Sequence, residues 1–576
     1  MSGTGSAFRS FLTADWARWM HEYPELATFV GLPGPNDRWI DDSEAGVERR
    51  LAHLRELAPQ LAAFDRSELS PPDRLNYDLY HSLIEGALAG LRFGFDPLPF
   101  NLGQPTNLRY PVSQMDSTPL NAASVLEVAP RVRVDDWEDR LRRLEALPVA
   151  LENTTRQMQE GLRAGYSPPQ FAIRAVPDQI ASLATDDPDR SGYFESFREF
   201  PPAIGAADQE RLRRAARGVL RDHVRPALDR FRQYVAETYL PACRTTIGCS
   251  HLPDGAATYA YLARRSTTTD LTPQQIHEIG LREVARLRGE MDALRERTGF
   301  RGSFREFNDF LRHDPQFHWK TPGELVDGYR VIGKRTDPQL SRLFGRVPRL
   351  QYGVQPVPDF RAEASPGAYY QSGSVATGRA GYFFANTFRL ESRPRWEMEA
   401  LSLHEAVPGH HLQIALAQEL EGLPEFRRET GPTAFIEGWG LYAESLGEEL
   451  GLYTDPYSKY GQLTFDVWRS IRLVVDTGMH ALGWTREQAV DFFRQNSGLS
   501  EINIGVEVDR YIVWPGQALA YKIGQLKFRE LRTEAERRLG DRFDIRGFHD
   551  LVLGEGALPL SMVQSRVTGW SGRPAA

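Results

Sequence analysis

Residues 401–414 read LSLHEAVPGHHLQI and place three histidines within eight positions. The first of them, His404, directly precedes Glu405. Many zinc hydrolases carry His-Glu-x-x-His on a helix, because residues four apart share a helix face and both imidazoles reach one ion. The glutamate beside the first histidine then serves as the general base. The stretch therefore predicts a metal site built on a helical segment.

The spacing of the histidines departs from that pattern, because the residue four after His404 is Pro408. His410 and His411 follow at six and seven positions. In a regular helix these positions lie about 240° around the axis or about 10.5 Å along it, too far to share an ion. Pro408 and Gly409 form a sequence that breaks helices. We therefore expect a break after Glu405 that returns His410 or His411 to His404.

The flanking segments predict two further helices. Upstream, ESRPRWEMEALSL (391–403) is typical of a helix start, with Ser392 as the cap and Pro394 in the first turn. Downstream, GPTAFIEGWGLYAESLGEEL (431–450) predicts a helix that opens near Pro432.

The downstream helix carries Glu437 and Glu444 seven residues apart, on one face. A zinc site needs a third protein ligand, which we predict to be Glu437. Glu444, two turns on, suits an outer position that orients a ligating imidazole. Gly438 and Gly440 leave little bulk beside Glu437, so another helix can approach closely.

The rest of the chain predicts a mainly α protein. Amphipathic patterns cover 128–165, 208–239 (with a bend at Pro226) and 272–298. The best strand signal is AGYFFANTF (380–388), and 346–371 can add a neighbouring strand or two. We expect a large helical body with one small sheet next to the metal-site helix. Its N-terminal lobe (1–245) and catalytic lobe (246–576) are expected to form one unit.

Composition excludes several classes of function. The 576 residues are 41% hydrophobic and 25% charged, with a net charge of -8, which favours a folded protein without a nucleic-acid or anionic-membrane partner. The two cysteines, Cys243 and Cys249, rule out a disulfide framework or a four-cysteine zinc site. With no signal-peptide pattern and no apolar run of membrane-spanning length, the expected location is the cytoplasm. The oligomeric state is left open.

The octapeptide His404 to His411 matches His-Glu-x-x-Pro-Gly-His-His, and the chain resembles the bacterial family called domain of unknown function 885. Other segments that fit are 265–284, 386–413, 435–447, 472–480 and 509–524. The resemblance implies a metallopeptidase-like protein.

A more distant similarity is to thimet oligopeptidase and its relatives, helical zinc peptidases with a deep channel. This resemblance implies that His410 is the second ligand and that His411 packs outside the ligand set. Glu437 and Glu444 have the same seven-residue spacing as the glutamate pair of those enzymes. The resemblance also implies that Tyr521, five residues after a glycine, polarises the scissile carbonyl.

The same resemblance implies that strand 381–388 is an edge strand above the metal, where a substrate backbone pairs. Asn386 and the backbone of Gly381 would then face substrate. Arg510 and Tyr511 are predicted to offer charge and a hydroxyl to a carboxy-terminal or oxyanion group, with Tyr511 assisting catalysis.

Three polar residues on one later helix, Arg472, Asp476 and His480, lie four apart on one face. They fit either a channel lining or an ordinary i,i+4 charge network, and the network is favoured.

These patterns predict a zinc-dependent hydrolase of amide bonds, a peptidase acting on short peptides, with one Zn²⁺ per chain. His404, His410 and Glu437 hold the ion, and Glu405 takes a proton from the attacking water. The alternatives are a hydrolase of a non-peptide amide or ester, a degenerate scaffold that only binds peptides, and iron chemistry on two histidines and a carboxylate.

Overall fold

The computed structural model describes residues 3–32, 34–100, 104–358, 362–363, 365–375 and 378–572. The chain divides into two units. The first comprises Met1–Thr258 with Pro424–Glu429, and the second comprises Tyr259–Leu423 with Thr430–Ala576. Every residue that the sequence singles out for the metal site lies in the second unit.

The regular elements in the described part of the first unit are helices joined by loops. Its helices are α1 (Gly3–Glu22), α2 (Pro24–Val30), α3 (Glu44–Ala62), α4 (Pro71–Leu91), α5 (Thr118–Val128), α6 (Val134–Arg163), α7 (Gln170–Ile173), α8 (Val176–Leu183), α9 (Ala206–Val219), α10 (Arg225–Tyr234) and α11 (Leu240–Ala242). The helix α12 (Gly255–Thr267) contains the boundary between the units, and α18 (Glu425–Glu429) returns to the first unit. The predicted helix in 128–165 is confirmed as α6.

The predicted helix 208–239 is part of a continuous helical stretch formed by α9, α10 and α11. π-helical turns at Leu220–Val224 and Val235–Tyr239 join these three helices. Each π turn ends two residues before a proline, Pro226 or Pro241. Proline has no N–H and its ring crowds the preceding turn, and the wider π turn accommodates both effects.

Within the described residues, the second unit holds the remaining α-helices. They are α13 (Pro273–Arg297), α14 (Phe304–His313), α15 (Pro322–Thr336), α16 (Met398–Glu405), α17 (His410–Glu419), α19 (Thr433–Leu446), α20 (Pro456–Ala481), α21 (Arg486–Asn496), α22 (Glu501–Val513), α23 (Ala520–Leu539), α24 (Ile545–Leu553) and α25 (Leu560–Gly569). The predicted helix 272–298 is confirmed as α13, which begins with a capping box between Thr272 and Gln275. The helix α20 packs along α13 and is buried over most of its length.

The sheet has three strands, β1 (Tyr352–Pro356), β2 (Ala368–Gln371) and β3 (Gly381–Ala385), in the order β1-β3-β2. The central strand β3 runs parallel to β1 and antiparallel to β2. The predicted strand in 380–388 and its two neighbours are therefore confirmed. The prediction that this strand forms an edge is wrong, because both of its edges are already paired.

The sheet is fixed next to α16 by apolar packing. Phe383 and Ala368 belong to one buried cluster with Tyr329 of α15 and Met398 of α16. The outer strand β2 contacts α16. The unpaired edge of β2 therefore lies next to the end of that helix.

The mainly α fold is confirmed. Among the described helices, none combines the length and the apolar character that crossing a membrane requires.

Candidate metal centre

The helix that carries His404 begins later than the sequence predicts. Ser392 ends a short 3₁₀ turn, and α16 starts at Met398. Pro394 is extended, with ψ 148°, and the residue before a proline is disfavoured in helical conformation. The prediction of Ser392 as the helix cap is therefore wrong.

The predicted break after Glu405 is confirmed. The helix α16 ends there, Ala406 and Gly409 have non-helical backbone angles, and α17 begins at His410. A Cβ atom on Gly409 would lie 1.9 Å from the carbonyl oxygen of His404, so only glycine lets the two helix ends meet this closely. As a result, the ring centroids of His404 and His410 are 4.7 Å apart.

Glu437 completes a cluster with these two histidines. One ligand atom from each of the three residues lies within 4.8 Å of the others, and this is the one such cluster in the described part of the chain. The Oε2 atom of Glu437 is 3.6 Å from Nε2 of His404 and 3.6 Å from Nε2 of His410. Two ligands at 2.0–2.1 Å from a tetrahedral zinc are about 3.4 Å apart. The donor set and its spacing therefore fit zinc.

Glycines place Glu437 against the histidines, as the sequence predicts. A Cβ atom on Gly440 would lie 2.7 Å from the His404 ring, and one on Gly438 would lie 2.5 Å from Cα of Gly524. The helix α19 therefore touches α16 on one side and α23 on the other. Tyr521 precedes Gly524 by one helical turn on α23, and the charge of Glu437 acts on its hydroxyl.

Glu444 lies where an orienting carboxylate is predicted. It is fully buried, and its Oε1 atom is 2.8 Å from Nδ1 of His404. Nη2 of Arg469 is 4.0 Å from the same oxygen. A carboxylate at Nδ1 fixes the ring orientation and leaves Nε2 facing Glu437.

The electrostatics of the cluster suit a cation. Burial opposes the charged form of His404, but Glu437 and Glu444 outweigh it and raise the pKa of this imidazole to about 9. Burial also opposes ionisation of Glu437, but the two imidazoles hold the pKa of its carboxyl well below the usual range. A cation bound at Nε2 of His404 would take the place of a proton. Burial and the nearby Glu437 charge raise the pKa of Tyr521, which stays protonated.

Glu405 is held by the edge of the sheet. Its Oε2 atom accepts a hydrogen bond of 3.0 Å from the backbone N–H of Tyr370 on β2. The Tyr370 hydroxyl lies 2.8 Å from Nδ1 of His411, and Nε2 of His411 lies 3.1 Å from the carbonyl oxygen of Leu350. Burial lowers the pKa of His411 to about 4, so the ring is neutral. Its Nε2 must donate to Leu350, and its Nδ1 accepts from Tyr370.

His411 therefore lies outside the ligand cluster and connects α17 to β2. Sequence reasoning missed Tyr370, which is the last aromatic residue of a short predicted strand region and carries no motif. Its importance comes from its position between Glu405 and His411, which only the fold determines.

Two residues of the predicted substrate surface have structural roles instead. Asn386 is 0% exposed, and its side-chain amide donates to the carbonyl oxygens of Ala362, Ser365 and Pro366. The backbone N–H of Gly381 donates to the carbonyl oxygen of Gln351, and a Cβ atom there would lie 2.3 Å from the Tyr370 hydroxyl. The prediction that Asn386 and Gly381 face substrate is therefore wrong.

Tyr511 does not supply a free hydroxyl. It is fully buried, and its hydroxyl donates to Glu507 over 2.5 Å and accepts from Nε of Arg472 over 2.8 Å. Its single proton is committed to Glu507, which contradicts the predicted assisting role in catalysis. Arg510 belongs to the same group and donates to Gln517 and Glu507.

The favoured i,i+4 charge network on α20 is also wrong. Asp476 accepts from the Tyr259 hydroxyl and from the Gly516 N–H, and Nε2 of His480 lies 2.9 Å from the carbonyl oxygen of Tyr511. Arg472 is paired with α22. Spacing on one helix does not reveal these partners, because they come from other helices.

Comparison with known proteins agrees with this fold. The sequence profile described as "Bacterial protein of unknown function (DUF885)" matches residues 24–567. A crystal structure of a "putative lipoprotein" from Colwellia psychrerythraea is similar, with 26% identity, a TM-score of 0.91 and 99% of each chain covered. A "putative lipoprotein of unknown function" from Shewanella oneidensis is 17% identical, with a TM-score of 0.73 over 98% of this chain and 99% of its own. A search of curated proteins finds no match. The chain belongs to the bacterial DUF885 family.

Proposed function

We propose that this protein is a zinc-dependent hydrolase of amide bonds that acts as a peptidase on short peptides. The supporting observation is that ligand atoms of His404, His410 and Glu437 lie within 4.8 Å of one another, with Glu405 next to the first of them. Two histidines and one glutamate leave a coordination position open, which is typical of catalytic zinc sites.

The residues around the cluster have separate tasks. His404, His410 and Glu437 would hold the ion, and Glu444 keeps the His404 ring in orientation. Zinc bound there would polarise the scissile carbonyl and acidify the attacking water. Glu405 takes the proton of that water and delivers it to the leaving nitrogen. The Tyr370 N–H holds one carboxylate oxygen of Glu405 and leaves the other for the proton.

Tyr521 contributes a hydroxyl donor near Glu437. Because its pKa is raised, its hydroxyl keeps its proton beside Glu437. A protonated hydroxyl stabilises the negative charge that develops on the carbonyl oxygen in the transition state.

The free edge of β2 favours peptides over small amides. The Tyr370 N–H faces Glu405, away from β3, while Gly367 pairs with Asn386 of the neighbouring chain segment. The main chain of Ala368 and the carbonyl of Tyr370 therefore face the side of the general base and remain for pairing, while the Tyr370 N–H is bonded to Glu405. An extended peptide pairs with such an edge through its own backbone.

A glutamine at position 405 tests the proposal. Glu405→Gln keeps the side-chain shape but removes the base, so we expect one zinc per chain and a fall in turnover of at least about a hundredfold. Metal content is measured by plasma mass spectrometry, and turnover by hydrolysis of a quenched-fluorescence peptide library. Glu399→Gln, on the same helix, is the matched control and keeps both properties.

Each result separates the alternatives. A Glu405→Gln variant near the wild-type rate contradicts the general-base role. Zinc-loaded protein that cleaves small amides or esters but no library peptide supports the non-peptide hydrolase. Protein that takes up no zinc when it is supplied is a binding scaffold. The cytoplasmic location stays a prediction, and both similar solved structures are named as putative lipoproteins.

A further inference from the structure

Two arginines share one carboxylate close to the proposed metal centre. Nη2 of Arg472 lies 3.2 Å, and Nη2 of Arg510 lies 3.0 Å, from the same Oε2 atom of Glu507. With two guanidinium groups and one carboxylate, the three side chains have a net positive charge of one unit. We call Arg472, Arg510 and Glu507 the arginine cluster.

Arg472 is the incompletely paired member of this cluster. It is only 4% exposed, and its Nε and Nη2 atoms donate to Tyr511 and Glu507. Its Nη1 atom is buried and has no hydrogen-bond partner among the described residues. A buried charged donor without an acceptor is costly, so such donors are normally paired.

The arginine cluster lies next to the side chain that adjoins Glu437. The guanidinium carbon of Arg472 is 4.5 Å from the centre of the Tyr521 ring and 4.7 Å from that of Trp468. Tyr521 is near enough to Glu437 for the charge of that carboxylate to act on its hydroxyl. One aromatic side chain therefore separates the unbalanced positive charge from the ligand cluster.

Nearby acidic groups do not supply the missing acceptor. Asp476, one turn further along α20, is engaged by the Tyr259 hydroxyl and the Gly516 N–H. Glu437 faces the two imidazoles. Arg510 is 15% exposed at its side chain, so the arginine cluster is open to solvent at that member.

We infer that Arg472 and Arg510 bind a carboxylate of the substrate, so that the substrates are peptides or amides with a free carboxylate close to the bond that is cut. Arginine is suited to this task because its planar fork matches a carboxylate with two parallel hydrogen bonds. The carboxylate comes from the carboxy terminus of a peptide or from an acidic side chain. The cleavage of these substrates rests on the proposed function, but their binding can be tested separately from cleavage.

The test uses three peptides of one sequence and the cleavage-deficient Glu405→Gln protein loaded with zinc. The peptides end in a free carboxylate, in an amide, and in an amide preceded by glutamate. Isothermal titration calorimetry measures each affinity. We expect the free acid to bind at least about tenfold more tightly than the plain amide. Tight binding of the glutamate amide instead assigns the site to a side-chain carboxylate.

Substitution of the arginines localises the effect. In the Glu405→Gln protein, Arg472→Gln and, separately, Arg510→Gln should reduce the preference for acid over amide toward one. The second variant covers the case in which loss of the buried Arg472 prevents folding. Arg494→Gln, at an exposed arginine of α21, should leave the preference unchanged.

The outcomes distinguish the two proposals. Equal binding of all three peptides, or no binding of any peptide, overturns the carboxylate site. If the wild-type protein cleaves the free acid and the plain amide equally, the hydrolase proposal stands without the carboxylate site. An acid preference that depends on the arginines in a protein that cleaves nothing supports the carboxylate site and contradicts the hydrolase.

Discussion

At the scale of single residues, two adjacent histidines have different environments. His410 faces Glu437 with its Nε2 atom, whereas His411 uses both ring nitrogens to join Tyr370 and Leu350. The difference arises because both residues stand at the start of α17, where the helix turns successive side chains about 100° apart. One histidine is thus placed to bind a metal, and the other holds the sheet.

Replacing each histidine by glutamine should separate these tasks. We expect His410→Gln to lose zinc, because one of three ligands is removed. His411→Gln should keep zinc but lower turnover and stability, because Tyr370 and Leu350 lose their partner, at a cost of about 1–3 kcal/mol. Zinc per chain and thermal unfolding are measured on both variants.

The reverse pattern, with zinc lost only in His411→Gln, would move the ligand assignment to His411. Loss of zinc in both variants together with normal folding would mean that the two rings cannot be assigned separate tasks.

The sequence predicts the cluster residues but not their surroundings. His404, Glu405, His410 and Glu437 are marked by spacing and by residue types that are uncommon together. The predictions for Asn386 and Tyr511 are wrong, because an amide or a hydroxyl can contact substrate or stabilise structure equally well. Only the positions of hydrogen-bond partners decide between these roles.

At the scale of elements, the position of Glu437 depends on a helix crossing. The backbones of α19 and α23 touch at Gly438 and Gly524, and neither residue leaves room for a methyl group. The sequence predicts a close approach here but does not name the partner helix. The sequence predicts the helices because their periodicity is local. The strand order β1-β3-β2 depends on contacts between distant segments, which local patterns do not contain.

Alanine at the crossing should disturb stability and the site together. Gly438→Ala places a Cβ atom 2.5 Å from the Gly524 backbone, which cannot yield as a side chain can. We expect a loss of about 1–3 kcal/mol in the free energy of unfolding, with weaker zinc binding. Chemical denaturation and zinc titration provide the measurements.

The matched control is Gly289→Ala on α13, where an added Cβ meets nothing within 4 Å. Alanine favours the helix there, so this variant should gain about 0.5–1 kcal/mol. If Gly438→Ala behaves like the control, the helices are not in backbone contact.

At the scale of the whole molecule, buried neutral histidines link the stability of the second unit to pH. His549 is a residue of α24, and its side chain contacts two neighbouring segments. Its Nδ1 atom is 2.7 Å from the Leu343 carbonyl oxygen, and its Nε2 atom is 2.9 Å from the Tyr442 hydroxyl. Burial lowers its pKa from 6.5 to about 3. Between these values the unfolded chain binds a proton that the folded protein does not.

This difference predicts acid sensitivity. The contribution of His549 is present above pH 6.5 and is lost as the pH falls, by about 1.4 kcal/mol per pH unit once the unfolded state is protonated. Stability of wild type and His549→Gln is compared by denaturant unfolding at pH 7.5, 6 and 5. The wild type should lose more stability than the variant, while exposed His313→Gln should follow the wild type. Parallel curves for wild type and His549→Gln would contradict the assignment.

The hold of β2 on Glu405 has a consequence for mutagenesis. The bond comes from the amide of Tyr370, which every amino acid except proline supplies, so an alanine scan passes over it. Tyr370→Ala would break the contact with His411 and leave the amide in place. A backbone ester at this position, introduced by semisynthesis, would replace the N–H group by an oxygen atom and so test whether the main chain orients the general base. Sequence variation at position 370 is therefore a poor guide to how much this strand matters for the reaction.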